Sequence, residues 1–151
     1  MRLRPATADD ADRLADIVMA ATKAQGRWPD NTPEQDEQWR AGFAEWSRNP
    51  EPDSFLSVIL LDDEVVGRLR VVRRESALHL AGIQLLPSVQ GRGIGTAIIR
   101  DLQGAAARDG VPLLIGVEKD NPRARRLYER LGCVVESESD DEYLLRWTPK
   151  G

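Results

Sequence analysis

The spacing of apolar and polar residues predicts helices in the first third of the chain. Apolar positions recur at helical intervals over about residues 8–24, which predicts a first helix. A second helix is predicted to begin at Thr32-Pro33, where a capping-box pattern precedes the next apolar stripe. Because Trp39, Phe43 and Trp46 then share one helical face, we expect Trp39 and Trp46 to be core residues.

The period changes to that of strands in the middle of the chain. Ser54–Leu61 and residues 65–72 are rich in β-forming residues and flank a short polar loop, which predicts an antiparallel hairpin. A third strand is predicted over residues 77–86. Gly82 within it indicates either a bulge or a point of close approach.

Helices and strands alternate in the second half of the chain. The predicted elements are a helix from Ile94 to a glycine cap at Gly110, a strand over residues 113–117, a helix opened by Asn121-Pro122 and stopped by Gly132, and strands over residues 134–137 and 143–147. The order β-α-α-β-β-β-α-β-α-β-β predicts an α/β (α+β) fold with helices packed on a mixed sheet. We expect residues 1–151 to form a single domain.

Composition removes several classes of function. The 151 residues include one cysteine and one histidine, which excludes an intrachain disulfide framework and a Cys/His zinc cluster. A formal net charge of −4 argues against a nucleic-acid partner. The sequence has neither an apolar run long enough to cross a membrane nor an apolar signal core, so we expect a cytoplasmic chain without a membrane partner.

The segment Gln90-Gly91-Arg92-Gly93-Ile94-Gly95-Thr96 carries the chemistry. Three glycines between a strand and a helix leave backbone N–H groups unobstructed, and the helix dipole adds partial positive charge there. The segment therefore predicts a phosphate site. It lacks the Gly-Lys-Ser/Thr of a Walker A loop, and its last glycine comes one residue too early for a dinucleotide fingerprint.

This loop resembles the Q/R-x-x-G-x-G/A pyrophosphate loop of the GNAT superfamily of N-acetyltransferases. Leu85-Leu86-Pro87 is similar to the V-x-P that precedes the loop there. The run from Asn121 to Gly132 is similar to the family's N-x-x-A-x-x-L/F-Y-x-x-x-G signature. The resemblance implies a GNAT-like, mostly antiparallel sheet of about seven strands with a central splay, flanked by about four helices.

The resemblance also implies acetyl-CoA as co-substrate and no metal. The pyrophosphate would lie on the loop, and the pantetheine arm in a gap between the strand ending near Leu86 and the strand over residues 113–117. Asn121 caps its helix whether or not it also contacts the cofactor. The residues implied to bind acetyl-CoA are Leu85, Leu86, Gln90, Gly91, Arg92, Gly93, Ile94, Gly95, Thr96, Asn121 and Ala124.

Two catalytic residues follow from the resemblance. Tyr128 matches the family's general acid, although a tyrosine on a helix also packs its ring for purely structural reasons. His79 lies eleven positions before the loop glutamine, where some relatives have their base, and an ordinary imidazole is largely neutral in the cytoplasm. A histidine on a strand is also compatible with a hydrogen-bonded sheet residue. Glu118 and Glu75 are weaker candidates, and we expect Cys133 to be a small buried hydrophobe.

The leading hypothesis is direct transfer of an acetyl group from acetyl-CoA to a primary amine in a ternary complex. The alternative is a non-catalytic CoA-binding sensor or protein-interaction module of the same fold. The acceptor, a small molecule or a peptide amine, is left open, and a homodimer is compatible with the family. The residues expected to set acceptor specificity are Trp28, Asp30, Glu34, Asp36, Glu37, Trp39 and the acidic run 136–142.

Overall fold

The structure, a computed structural model, describes residues 1–150. Its elements are β1 (Arg2–Pro5), α1 (Ala11–Ala24), α2 (Pro33–Arg48), β2 (Ser54–Leu61), β3 (Glu64–Arg73), β4 (Leu78–Leu85), α3 (Ile94–Asp109), β5 (Leu113–Glu118), α4 (Pro122–Arg130), β6 (Val134–Glu138) and β7 (Glu142–Trp147). Short 3₁₀ turns lie at Ala8–Asp10 and Pro87–Val89. The predicted element order is confirmed.

The seven strands are hydrogen-bonded in the order β1-β2-β3-β4-β5-β7-β6. The pairs β1–β2, β5–β7 and β6–β7 are antiparallel, and β4–β5 is parallel. The β4–β5 ladder comprises three pairs, Leu78–Leu113, His79–Leu114 and Leu80–Ile115. The antiparallel β5–β7 ladder continues from Leu113 to Glu118, so the last residues of β5 are paired on their β7 side past the end of the β4 ladder. The predicted mixed sheet is thus confirmed.

The chain divides into two compact units. The first comprises residues 1–70 and 82–92, and the second comprises residues 71–81 and those from 93 onward. In the first unit, Leu14 and Ile17 of α1 pack against Val58 and Leu60 of β2, and all four side chains are at most 4% exposed. This dry contact fixes α1 on the sheet.

Small residues hold α1 and α2 together in the first unit. Ala11 and Ala15 of α1 meet Ala44 of α2, and short side chains at such a contact let two helices approach closely. Trp39 and Phe43 are partly buried against this cluster, and their rings stack with centroids 5.0 Å apart. Trp39 therefore contributes to the core as predicted, although its ring is only partly buried.

The prediction that Trp46 is a core residue is wrong. Its side chain is 42% exposed, although it lies on the same face of α2 as Phe43, with ring centroids 5.6 Å apart. The reason is that two arginines of β3 occupy the space beneath it: the guanidinium carbons of Arg68 and Arg70 lie 5.7 Å and 5.0 Å from the Trp46 ring. The indole therefore covers cations instead of entering an apolar core.

The turn between β2 and β3 is tighter than the predicted loop. Asp62 and Asp63 alone connect the strands, and both have positive φ, 51° and 66°. Successive left-handed residues match the twist of a hairpin, and aspartate tolerates this conformation better than most residues do. Glu64 accordingly belongs to β3.

The second unit is built around one face of its sheet. Leu113, Ile115 and Val117 of β5 are at most 5% exposed, and Leu145 of β7 is fully buried. On α3 the buried residues are Ile94, Ile98, Ile99, Gln103 and Ala106. The cap that ends this helix is left-handed, with Gly110 at φ 68°, as predicted. Among residues 1–150 no helix combines the length and apolarity needed to cross a bilayer.

The first helix starts at a charged cap. Asp10 accepts the Thr7 amide at 2.8 Å and a two-pronged contact from Arg4 at 2.8 Å and 3.0 Å. Arg4 is the larger cause that lowers the pKa of Asp10 from 3.8 to about 2. A carboxylate held in its charged form stabilises the fold above the unfolded pKa, and this contribution is lost as the pH falls through the folded pKa.

We expect Asp10→Asn to cost about 1 kcal/mol of unfolding free energy at neutral pH, because the neutral amide loses the ion pair and weakens the cap. The difference from wild type should shrink as the pH falls from about 4 to about 2. Urea unfolding at a series of pH values measures this difference in unfolding free energy. Asp9→Asn, which alters an exposed carboxylate in the same turn, is the matched control. A difference that is independent of pH would contradict the assignment.

Candidate functional site

The glycine-rich loop enters α3 through two left-handed residues. Gly91 and Gly93 have φ values of 77° and 80°, a region that side-chain-bearing residues rarely adopt. A Cβ at either position would meet nothing within 4 Å, so backbone conformation rather than crowding requires the glycines. Among residues 1–150, no acceptor takes the N–H groups of residues 91–96. These donors, together with the N-terminus of a 16-residue helix, fit a phosphate group.

Gln90, predicted to bind acetyl-CoA, has a contact within the protein. Its Nε2 donates to the carbonyl oxygen of Leu85 at 3.0 Å, which ties the loop to the end of β4. The next residue, Leu86, donates its N–H to the carbonyl of Val66 at 2.8 Å and packs against the first unit's core. Gln90, Leu85 and Leu86 therefore position the start of the loop.

Helix α4 carries the predicted acid. Asn121 is its N-cap, with a side chain that accepts the Ala124 N–H at 3.3 Å, as predicted. Tyr128 is the buried residue of this helix and is 6% exposed. Burial, with a smaller contribution from neighbouring Cys133, raises the pKa of Tyr128 to about 12. The phenol therefore keeps its proton throughout the neutral range, as a proton donor must.

Three contacts within the second unit fix α4. A Cβ at Gly95, in the first turn of α3, would lie 3.7 Å from Leu127 Cδ2, so α4 packs beside that turn. Gln103 of α3 donates to the Leu131 carbonyl at 2.8 Å. The Cys133 N–H donates to the Tyr128 carbonyl at 3.1 Å and closes the helix. The loop's helix and the helix of Tyr128 are thus held side by side.

A cavity of about 470 Å³ opens on the other predicted catalytic residue. Its walls come from β4, β5 and the β6–β7 hairpin. The lining residues are His79, Leu80, Ala81, Gly116, Ser137, Glu138, Ser139, Glu142, Tyr143 and Leu144. Tyr128 is not among them, so the structure places the predicted base in this cavity and the predicted acid outside its lining.

The hairpin side of the cavity is acidic. Glu138 accepts from Lys119 Nζ at 2.6 Å, an interaction that lowers the pKa of its carboxyl group. The Glu142 carboxylate lies over Gly116, with Oε1 3.8 Å from the position a Cβ would take there. Glu142 is also the cross-strand partner of Glu118, and like charges placed directly opposite each other repel. A cationic group in the cavity would relieve that repulsion.

The weaker base candidates lie elsewhere in the second unit. Glu118 is exposed at the end of β5 and does not line the cavity of His79. Glu75 lines a separate cavity of about 340 Å³ together with Arg73, Arg74 and Asp109. His79 and Glu75 thus line different cavities, and that of His79 is the larger of the two.

The predicted specificity residues of the first unit have structural partners. Trp28, proposed from the sequence to line a pocket, donates its indole N–H to Asp36 at 2.8 Å and packs edge-on against Trp39, with ring centroids 4.8 Å apart. Asp30, Glu34 and Glu37 are exposed. The acidic run 136–142 contributes Glu138 and Glu142 to the cavity.

The sequence model of the Acetyltransferase (GNAT) family matches residues 15–133. The chain belongs to the GNAT acetyltransferase family. The matched range includes the loop, His79, Tyr128 and Cys133.

Solved structures show the same GNAT fold. PaiA N-acetyltransferase from Thermoplasma acidophilum, crystallised with coenzyme A, is 14% identical and superposes with a TM-score of 0.78 over 97% of this chain and 98% of its own. The ribosomal-protein-S18-alanine N-acetyltransferase from Escherichia coli is 17% identical, with a TM-score of 0.73 over 99% and 94%. An aminoglycoside 6′-acetyltransferase type Ii is 18% identical, with a TM-score of 0.70 over 100% of both chains.

Sequence reasoning missed Gln103, which helps to position α4. It interrupts an apolar helix face and is 9% exposed, so a polar residue inside a predicted buried stripe was the available signal. Glu142 belongs to the predicted acidic run 136–142, and the β5–β7 register brings it over Gly116.

Cys133 should be almost inert in the folded GNAT domain. It is 2% exposed, and burial raises the pKa of its thiol from 9.0 to about 11, so little reactive thiolate forms at about pH 8. We expect Ellman's reagent to react much more slowly with native protein than with urea-unfolded protein. Because the chain has one cysteine, the signal reports this residue alone. Equal rates for native and unfolded protein would contradict the burial.

Proposed function

We propose that the chain is an acetyl-CoA-dependent N-acetyltransferase domain that transfers the acetyl group directly to a primary amine. The observation that carries the proposal is the row of N–H groups over residues 91–96 that no described residue accepts, at the N-terminus of α3. Such a row suits the pyrophosphate of CoA. Family membership and the CoA complex of the PaiA structure support this assignment.

The proposed cofactor residues divide by role. Gly91, Arg92, Gly93, Ile94, Gly95 and Thr96 form the anion site, and Leu85, Leu86 and Gln90 hold its entrance. Asn121 and Ala124 form the first turn of α4. Beyond Ile115, β5 extends past its ladder with β4, and an extended pantetheine arm would find backbone groups there on the side away from β7.

The proposed chemistry needs three proton transfers. An acceptor that arrives as an ammonium ion must lose one proton before its nitrogen can attack the thioester carbonyl carbon, and the imidazole of His79 takes that proton, directly or through water. The carbon–sulfur bond then breaks, the phenol of Tyr128 donates its proton to the departing sulfur, and the second proton lost by the attacking nitrogen restores the phenol. The pKa of Tyr128, raised to about 12 by burial, keeps that proton available at neutral pH.

The cavity of His79 is the proposed acceptor site. Its volume of about 470 Å³ suits a small molecule or the end of a peptide. Glu138 and Glu142 in its wall favour an acceptor that arrives as an ammonium ion. The aminoglycoside and ribosomal-protein acetyltransferases of the same fold are named for very different acceptors, so this chain's own cavity must select its substrate.

Free-thiol release from acetyl-CoA over a panel of amines tests the proposal. We expect wild-type protein to bind acetyl-CoA in calorimetry and to release thiol with at least one amine, and Tyr128→Phe to lower kcat about 100-fold with little change in acetyl-CoA affinity. Tyr143→Phe removes the chain's other phenolic hydroxyl, that of a residue in the cavity wall, so any loss should fall on the KM of the acceptor.

Three results would count against the proposal or part of it. Absence of acetyl-CoA binding would overturn the whole proposal. Binding without turnover on every amine would instead favour the CoA-binding sensor. Undiminished kcat in Tyr128→Phe would remove the tyrosine from its role as acid.

His79→Ala should change the pH dependence of the reaction. An imidazole base loses activity when it is protonated, so wild-type kcat/KM should fall as the pH is lowered into the acidic range. In His79→Ala this limb should disappear along with most of the activity, and His79→Gln should behave in the same way. An acidic limb that persists in both variants would assign the base to another group.

A further inference from the structure

The first unit buries an arginine that has no acidic partner. Arg68 of β3 is 4% exposed. Within residues 1–150 its one hydrogen bond runs from Nη1 to Oε1 of Gln84 on β4, at 2.9 Å, and Gln84 is uncharged. Its Nε is fully buried and has no acceptor. Buried charges in proteins are normally paired, so this guanidinium is an exception that needs a physical reason.

The groups around Arg68 do not neutralise it. The guanidinium carbon lies 5.1 Å from the Phe43 ring and 5.7 Å from the Trp46 ring, contacts that stabilise a cation but take no N–H bond. Arg70, two residues along β3, adds a like charge. Desolvation, with the charge of Arg70, lowers the pKa of Arg68 to about 10, so it remains cationic at neutral pH.

The neighbouring strand is shaped to keep the guanidinium in place. A Cβ at Gly82 of β4 would lie 2.6 Å from Arg68 Nη1, closer than real Cβ contacts allow. The glycine thus provides the space in which Nη1 lies, and Gln84, two residues on, orients it. From the sequence, Gly82 is expected to mark a bulge or a point of close approach. The structure shows a close approach, made by the side chain of Arg68.

We propose that Arg68 is the centre of a binding site for a carboxylate. Gln84 occupies the Nη1 end, so the free Nε–Nη2 edge is the one that matches the two oxygens of a carboxylate. One carboxylate would satisfy the buried Nε, neutralise the desolvated charge and screen it from Arg70. The indole of Trp46 is 42% exposed and lies 5.7 Å from the guanidinium carbon, so the ligand would enter on this side.

The carboxylate has two possible sources. It belongs either to the acyl acceptor, as in an amino acid or a peptide, or to a separate small carboxylate. The first source rests on the proposed function, whereas the site itself does not. The experiment therefore measures binding without turnover and then separates the two sources by turnover.

The binding experiment follows the arginine Nε–H signals of ¹⁵N-labelled protein by NMR while sodium acetate is added at constant ionic strength. The signal that disappears in Arg68→Lys is that of Arg68. We expect it to move downfield saturably with acetate and not with chloride. Arg70→Gln removes the neighbouring guanidinium, which donates to Ser54, and should preserve the response. No saturable response, or a stronger one to inorganic phosphate, would overturn the proposal.

A second variant tests the site independently in case Arg68→Lys does not fold. Gly82→Ala keeps the arginine but forces Nη1 from its place, and we expect at least a 10-fold weaker acetate response. An undiminished response in Gly82→Ala would contradict the site. If the acetate response were lost in Arg70→Gln but kept in Gly82→Ala, the carboxylate site would have to be assigned to Arg70 instead of Arg68.

The source is distinguished by comparing each amino acid with its amide as acceptor. If the acceptor supplies the carboxylate, wild type should prefer the acid form at least 10-fold, and Arg68→Lys should lose this preference while it still acetylates the amide. If the Nε signal responds but neither form is preferred, the site binds a separate carboxylate. Absence of turnover with a normal Nε response would reject the proposed function and leave the carboxylate site standing.

Discussion

The site depends on a backbone constraint: the chain must pass from the end of β4 into α3 within a few residues. It does so through left-handed conformations at Gly91 and Gly93, which only glycine adopts at little cost. The consequence is chemical as well as geometric, since a turn made in this way leaves the N–H groups of residues 91–96 without acceptors among the described residues. The same feature makes the turn possible and leaves the donors on which the proposed anion site depends.

Burial then determines what the side chains near this turn can do. In the second unit, α4 is fixed against α3 by the Gln103 contact and closed by the Cys133 N–H, so Tyr128 is held in a dry environment. Desolvation makes its phenol a persistent proton carrier. The cavity of His79 differs, with carboxylates and hydroxyls in its wall. In the proposed reaction, proton donation and acceptor binding would thus take place in environments of opposite polarity.

The sequence predicted the element order because apolar periodicity and the capping signals at Thr32, Asn121 and Gly110 agree with the fold at each position. The glycine loop was also predictable, since its chemistry is local. The burial of Arg68 and the exposure of Trp46 were not predictable. Arg68 is held by Gln84 and Gly82, which are distant in sequence and become its neighbours only through strand pairing. Trp46 is exposed because it covers Arg68 and Arg70. A charged residue inside a strand gives no sign of its burial when its partners lie on other elements.

The burial of Cys133 affects how the protein would withstand the thiol product of its proposed reaction. The proposed reaction generates a free thiol at every turnover, and CoA that becomes oxidised carries disulfides able to exchange with protein thiolates. The chain's single sulfhydryl belongs to Cys133, whose N–H donates to the Tyr128 carbonyl; the residue is 2% exposed and its thiol has a pKa of about 11. This burial would therefore also protect the protein from mixed-disulfide formation with the product of the proposed reaction.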